Sequence, residues 1–123
     1  RYRPVPQLDE ERLAYLYPET IDRAVFAQYL AQFDRLIAGA RARGIGVVVI
    51  KPPLPSRIYR QLPLESEFDS ALNGLLTRHG ITLHDFSAVN NAEALFQDTD
   101  HLNRDGVLSF FSGTLAPLIR QQK

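Results

Sequence analysis

Apolar residues recur at helical spacing from Thr20 to Gly44. Ile21, Val25, Tyr29, Phe33, Leu36, Ile37 and Ala40 fall on one face, with polar residues opposite. Thr20 is expected to cap this helix, because its hydroxyl can accept a free amide of the first turn. Gly44 is expected to end it in the left-handed conformation. Residues 45–50 then abandon the period. Their β-branched run without alternation predicts a strand covered on both faces, as in a parallel sheet. Lys51-Pro52-Pro53-Leu54-Pro55 stops the strand, since proline cannot donate to a ladder, and residues 51–64 read as a long loop. Helical spacing returns from Glu65 to His79, with Phe68, Leu72, Leu75 and Leu76 inward and Gly80 as the stop. Residues 81–86 predict a second strand and residues 91–96 a short helix. Asn103 is expected to cap a last helix carrying Val107, Leu108, Phe111, Leu115, Leu118 and Ile119, kinked at Pro117. Residues 1–19 hold Pro4, Pro6 and Pro18 and no clear period. They read as an irregular lead-in with a turn of helix around residues 10–17, ahead of a single domain over 20–123.

The resulting order of helix, strand, helix, strand, helix predicts the α/β class, with parallel strands, right-handed crossovers and helices on both faces. Two strands are too few for a stable sheet of that type. Further strands are therefore expected from an N-terminal portion or from a partner chain. The chain begins at Arg1 and contains no methionine, so it is expected to be a processed or excerpted piece of a longer protein.

Composition narrows the function classes. Fourteen basic and fourteen acidic residues cancel, so no global field draws in nucleic acid or an anionic membrane. No apolar run approaches the roughly 20 residues that span a bilayer, and no signal peptide is visible in these residues. Cysteine is absent, which removes disulfides and thiolate metal sites and leaves the redox compartment unreadable. The histidines, His79, His84 and His101, have no metal-ligand spacing, and no metal or organic cofactor is expected.

The chemistry concentrates in Asp98-Thr99-Asp100-His101-Leu102-Asn103-Arg104-Asp105-Gly106. A histidine that takes a proton from a serine needs a carboxylate to hold its tautomer and orientation. Asp98, three residues before His101, can supply it from one short loop. Asp100 competes for that role and ranks below Asp98. In open parallel sheets, ligands bind beyond the carboxyl ends of the strands. Loop 51–64, segment 86–97 and the turn 98–103 before the last helix all fall there. Ser56 is the best nucleophile within the chain, although a surface serine is the plainer reading. Lys51 leaves a strand end and could face an anionic group, although a solvated lysine is the plainer reading. Arg57, Tyr59 and Arg60 could line a cleft for a polar glycan. His84 reads as an edge residue rather than a metal ligand.

The phrase from Phe96 to Gly106 resembles the last block of the SGNH (GDSL-type) hydrolase and acyltransferase superfamily. That block is Asp-x-x-His followed by Leu-Asn and a glycine that lead into the final helix. The order of elements before it is similar to the extracytoplasmic branch of teichoic acid D-alanine transfer and alginate O-acetylation proteins. The resemblance implies a three-layer α/β/α architecture with a parallel sheet, flavodoxin-like and incomplete at its N-terminus. It implies His101 as general base and Asp98 as its orienting carboxylate in ester hydrolysis or O-acyl transfer. Substrates would be small esters or O-acyl groups on a cell-envelope glycan, outside the cytoplasm. No serine precedes Ser56, so the family's Gly-x-Ser turn and oxyanion-hole residues have no match here, and the serine would come from outside these residues. The alternative is a catalytically degenerate domain that binds an envelope glycan or a partner protein.

Overall fold

The computed structural model of the protein describes residues 3–17, Thr20 and residues 22–121. Pro18 of the lead-in and Ile21, expected to open the apolar face of the long helix, lie outside them. In chain order the elements are α1 (Pro6–Leu16), α2 (Arg23–Ala42), β1 (Val49–Lys51), α3 (Ser56–Tyr59), α4 (Glu65–Arg78) and β2 (Leu83–Asp85). A 3₁₀ turn (Glu93–Leu95), α5 (Arg104–Phe110), a π-helical turn (Phe111–Leu115) and α6 (Ala116–Gln121) follow.

The three-layer α/β/α expectation is overturned. The chain is mostly helical, and its sheet is one pair of short parallel strands, β1 beside β2. Residues 45–48 carry strand-forming side chains but join no ladder and stay at least partly exposed. A strand buried on both faces needs neighbours on both edges and layers above and below. Each strand here has one neighbour among the described residues.

The described residues divide into two compact units, one from 1–17, 51–62 and 85–123, the other from 18–50 and 63–84. In the second unit, Asp22 rather than Thr20 caps α2. Its carboxylate accepts the N–H groups of Ala24 at 2.9 Å and Val25 at 3.0 Å. Gly44 (φ 71°) and Gly80 (φ 64°) adopt the left-handed conformation after α2 and α4, as their sequence positions predict. Helices α2 and α4 pack through buried Ile37, Leu72, Leu75 and Leu76, flanked by Phe33, Val49 and Leu83. Burying each such side chain stabilises by about 1.5–3 kcal/mol. Val25, Tyr29 and Leu36, expected inward, are exposed. The apolar stripe of α2 is wider than one partner helix can cover. Phe68 is also largely exposed, although its ring meets Phe26 at 6.4 Å. Polar contacts close the unit's surface: Arg23 pairs with Glu67, and His79 Nε2 lies 2.7 Å from Asp34.

The other unit is built around buried Ile58, Phe96 and Phe110. Phe86 meets Phe110 edge to face at 5.4 Å. The lead-in is largely helical: α1 starts on Pro6, whose fixed φ and missing N–H suit a first turn. Pro117 produces a π turn in the C-terminal helix. It has no N–H for the carbonyl of Gly113, and the preceding turn widens so that Ala116 donates to Phe111 instead. Val107, Leu108, Phe111 and Ile119, expected inward, are exposed.

Candidate functional site

The expected Asp-x-x-His turn is a closed loop. Phe96 and Leu102 form an antiparallel bridge. Gln97 donates its N–H to the His101 carbonyl at 2.9 Å, and Asn103 donates to the Leu95 carbonyl at 2.8 Å. The Leu-Asn-x-x-Gly tail has a structural reason at each position. Leu102 makes the bridge. Asn103 caps α5 by accepting the Gly106 N–H at 2.9 Å, and its amide donates to the Ala94 carbonyl at 2.7 Å. Gly106 admits no side chain: a Cβ there would stand 2.2 Å from the Leu95 carbonyl oxygen.

Within this loop Asp98 holds His101 twice. Its Oδ1 accepts the His101 backbone N–H at 2.8 Å, and its two oxygens lie 2.9 and 3.1 Å from Nδ1 of the ring. The Asp100 N–H also donates to Oδ1, at 3.1 Å. Burial raises the Asp98 carboxyl. The N–H groups of His101 and Asp100, joined by the His101 ring, outweigh that effect and hold it below the ordinary carboxylate range. With Nδ1 committed to Asp98, Nε2 is the ring nitrogen left to accept a proton. The ring is 57% exposed, and no serine among the described residues reaches it. Ser56 begins α3, where its carbonyl accepts from Arg60.

The lead-in supplies residues that the sequence reading passed over. Asp9 and Arg12, one helical turn apart on α1, reach consecutive residues of the loop. Asp9 is 4% exposed and accepts the Thr99 hydroxyl at 2.8 Å. Arg12 meets Asp100 with Nη2 at 2.9 Å from Oδ2 and Nε at 3.2 Å from Oδ1. Asp100 also stands 3.5 Å from Nδ1 of His101. Leu8, Arg12, Asp98, Thr99, Asp100 and His101 line a shallow open cleft of about 310 Å³. An i, i+3 acid–base pair following a proline at a helix start was the one available signal.

Arg57 does not line a glycan cleft as expected. It turns inward, donates to Asp9 at 2.7 Å and pairs with Glu93. Burial lowers its charged form's standing, but the two carboxylates outweigh this and raise its basicity. Burial likewise raises the Asp9 carboxyl, and its bonds to Arg57 and Thr99 bring it below the ordinary range. Loop 51–64, segment 86–97 and the turn 98–103 are thereby joined through Arg57 and Asp9 rather than at the ends of a sheet. Lys51 is largely buried, and its Nζ lies 3.6 Å from the carboxylate of Asp85 on the adjacent strand. His84 is half-buried in β2.

Asp98, Asp100 and His101 each bring a donor atom within 4.8 Å of the others. Arg12 occupies Asp100 and Asp98 is bound to Nδ1, so we assign no metal to them. No helix among the described residues is long and apolar enough to cross a membrane. Comparison with protein-family models, with curated proteins and with solved structures finds no match to this chain.

Proposed function

We propose that Asp98 and His101 form the acid–base half of a serine-dependent centre for ester hydrolysis or O-acyl transfer. The observation that carries this reading is the pairing of both Asp98 oxygens with Nδ1 of a half-exposed ring that lines a cleft. In such a centre Nε2 takes the proton of an attacking serine and returns it to the leaving group, and the carboxylate steadies the imidazolium. The resemblance of residues 96–106 to the final SGNH block supports the same roles. That support rests on the loop and its helix, not on a sheet. The serine and the oxyanion donors come from outside these residues, and the substrate is an O-acyl ester on a small molecule or an envelope glycan.

A second reading has its own observation. No described serine lies at Nε2, as a non-catalytic domain that binds a glycan or a partner protein would have it. A fluorophosphonate probe on the full-length protein, read by intact mass, separates the two. A single adduct that disappears in H101A supports the centre, and peptide mapping then locates the serine. A folded protein that takes no adduct overturns it in favour of the binding domain.

A further inference from the structure

His101 has two carboxylates beside one ring nitrogen, Asp98 at 2.9 Å and Asp100 at 3.5 Å. Two uncompensated anions would over-stabilise the imidazolium and leave two competing orientations for the ring. A base must be neutral to accept a proton. Helix α1 answers this with one cation. Arg12 spans the Asp100 carboxylate through Nε and Nη2, a forked geometry that a guanidinium satisfies and that fixes the carboxylate's plane. One turn earlier, Asp9 holds the neighbouring Thr99 and is itself balanced by Arg57, which also pairs with Glu93.

We propose that Arg12 is a positioning residue for His101: by neutralising Asp100 it leaves Asp98 as the single carboxylate that orients and polarises the ring. This rests on the acid–base reading of the Asp98–His101 pair. Among the described residues, the charged groups around the ring are Asp98 and Asp100 from its own loop and, bound to Asp100 in the same cleft, Arg12 from α1. The balanced group of Asp9, Arg57 and Glu93 is attached through Thr99.

The test is an NMR titration of His101 in the full-length protein, with the fold of each variant checked by circular dichroism. R12Q unmasks Asp100, so the titration midpoint moves to higher pH. D100N removes the anion 3.5 Å from Nδ1 and leaves the Arg12 charge in the cleft unbalanced, so the midpoint moves to lower pH. The R12Q/D100N double variant returns close to the wild type, and R12K, which keeps the charge, stays near it. A loop that merely lost support would not shift in opposite directions and recover in the double variant. Unchanged midpoints, or shifts of one sign in both single variants, overturn the inference. If R12Q does not fold, D100N and R12K decide it. Failure of the hydrolase reading is seen separately, as absent probe labelling with the titration shifts intact. Where activity is present, the acid limb of its pH profile must follow the His101 midpoint through the series; a limb that does not move with it also overturns the role of Arg12.

Discussion

The Asp98 carboxylate binds both the backbone and the ring of His101, at 2.8 and 2.9 Å from the same oxygen. One side chain therefore shapes the turn and selects the tautomer. D98N keeps much of the shape but offers an amide where Nδ1 needs an acceptor on one side and charge on both. Under the acyl-transfer reading, turnover falls by about four orders of magnitude, while the unfolding midpoint moves far less. Steady-state kinetics on an activated ester, beside a denaturant curve, checks both halves.

Gly106 is expected to tolerate no side chain. A methyl group would press on the Leu95 carbonyl and on Leu102, and the backbone on both sides is pinned by Asn103. G106A should destabilise by about 1–3 kcal/mol through overpacking, measured as a lower urea midpoint. The adjacent exposed position Val107 serves as control, where V107A should change little.

Asp9 is the buried hinge of the charge network under the candidate site. D9A leaves Arg57 without its buried partner and Thr99 without its carboxylate acceptor. Removing one member of a buried pair costs about 3 kcal/mol. D9A should therefore lower stability by roughly that amount and increase hydrogen exchange in residues 97–103.

The pH dependence has a definite sign. The folded carboxyls of Asp9, Asp34, Asp85 and Asp98 all lie below the ordinary range. Burial opposes the shift at Asp9, Asp85 and Asp98, and hydrogen bonds win. At Asp34 the His79 ring is the main cause. The unfolded chain thus binds protons first as pH falls. Stability from these groups is fully present above their unfolded values, near pH 4, and is lost as pH drops through the folded ones. Urea midpoints should hold steady from pH 7 to 5 and decline below about 4. D9N, being uncharged at every pH, should start lower and decline less.

The core of the second unit is expected to be sensitive at Leu76, which is fully buried against Ile37 and Leu72. L76A should cost about 2–5 kcal/mol. D22A, which removes the cap of α2, should cost about 1 kcal/mol. Chemical denaturation of both variants checks the ranking.

Local features were legible in the order of residues. Helix α4 (Glu65–Arg78) forms within one residue of the expected span because Leu72, Leu75 and Leu76 share a face at helical spacing. Gly44 and Gly80 end their helices because only glycine enters the left-handed region without strain, and Asn103 caps α5 as its position predicts. The pairing of Asp98 with His101 was legible because both belong to one tight turn, where spacing fixes distance. The remaining features depend on partners far along the chain and emerge only once the chain is folded. Apolar periodicity says which face of a helix is oily, not how much of it another element will cover, so Val25, Tyr29, Leu36 and Val107 stay exposed. β-branched runs say that a segment can be a strand, but a ladder needs edges to pair with, and residues 45–48 find none. Helix α1 buries Asp9 rather than an apolar stripe, so hydrophobic patterning passed over it. Its hold on the candidate site, through Asp9 on Thr99 and Arg12 on Asp100, spans about 90 residues of chain, and such charge pairing has no period that a sequence displays.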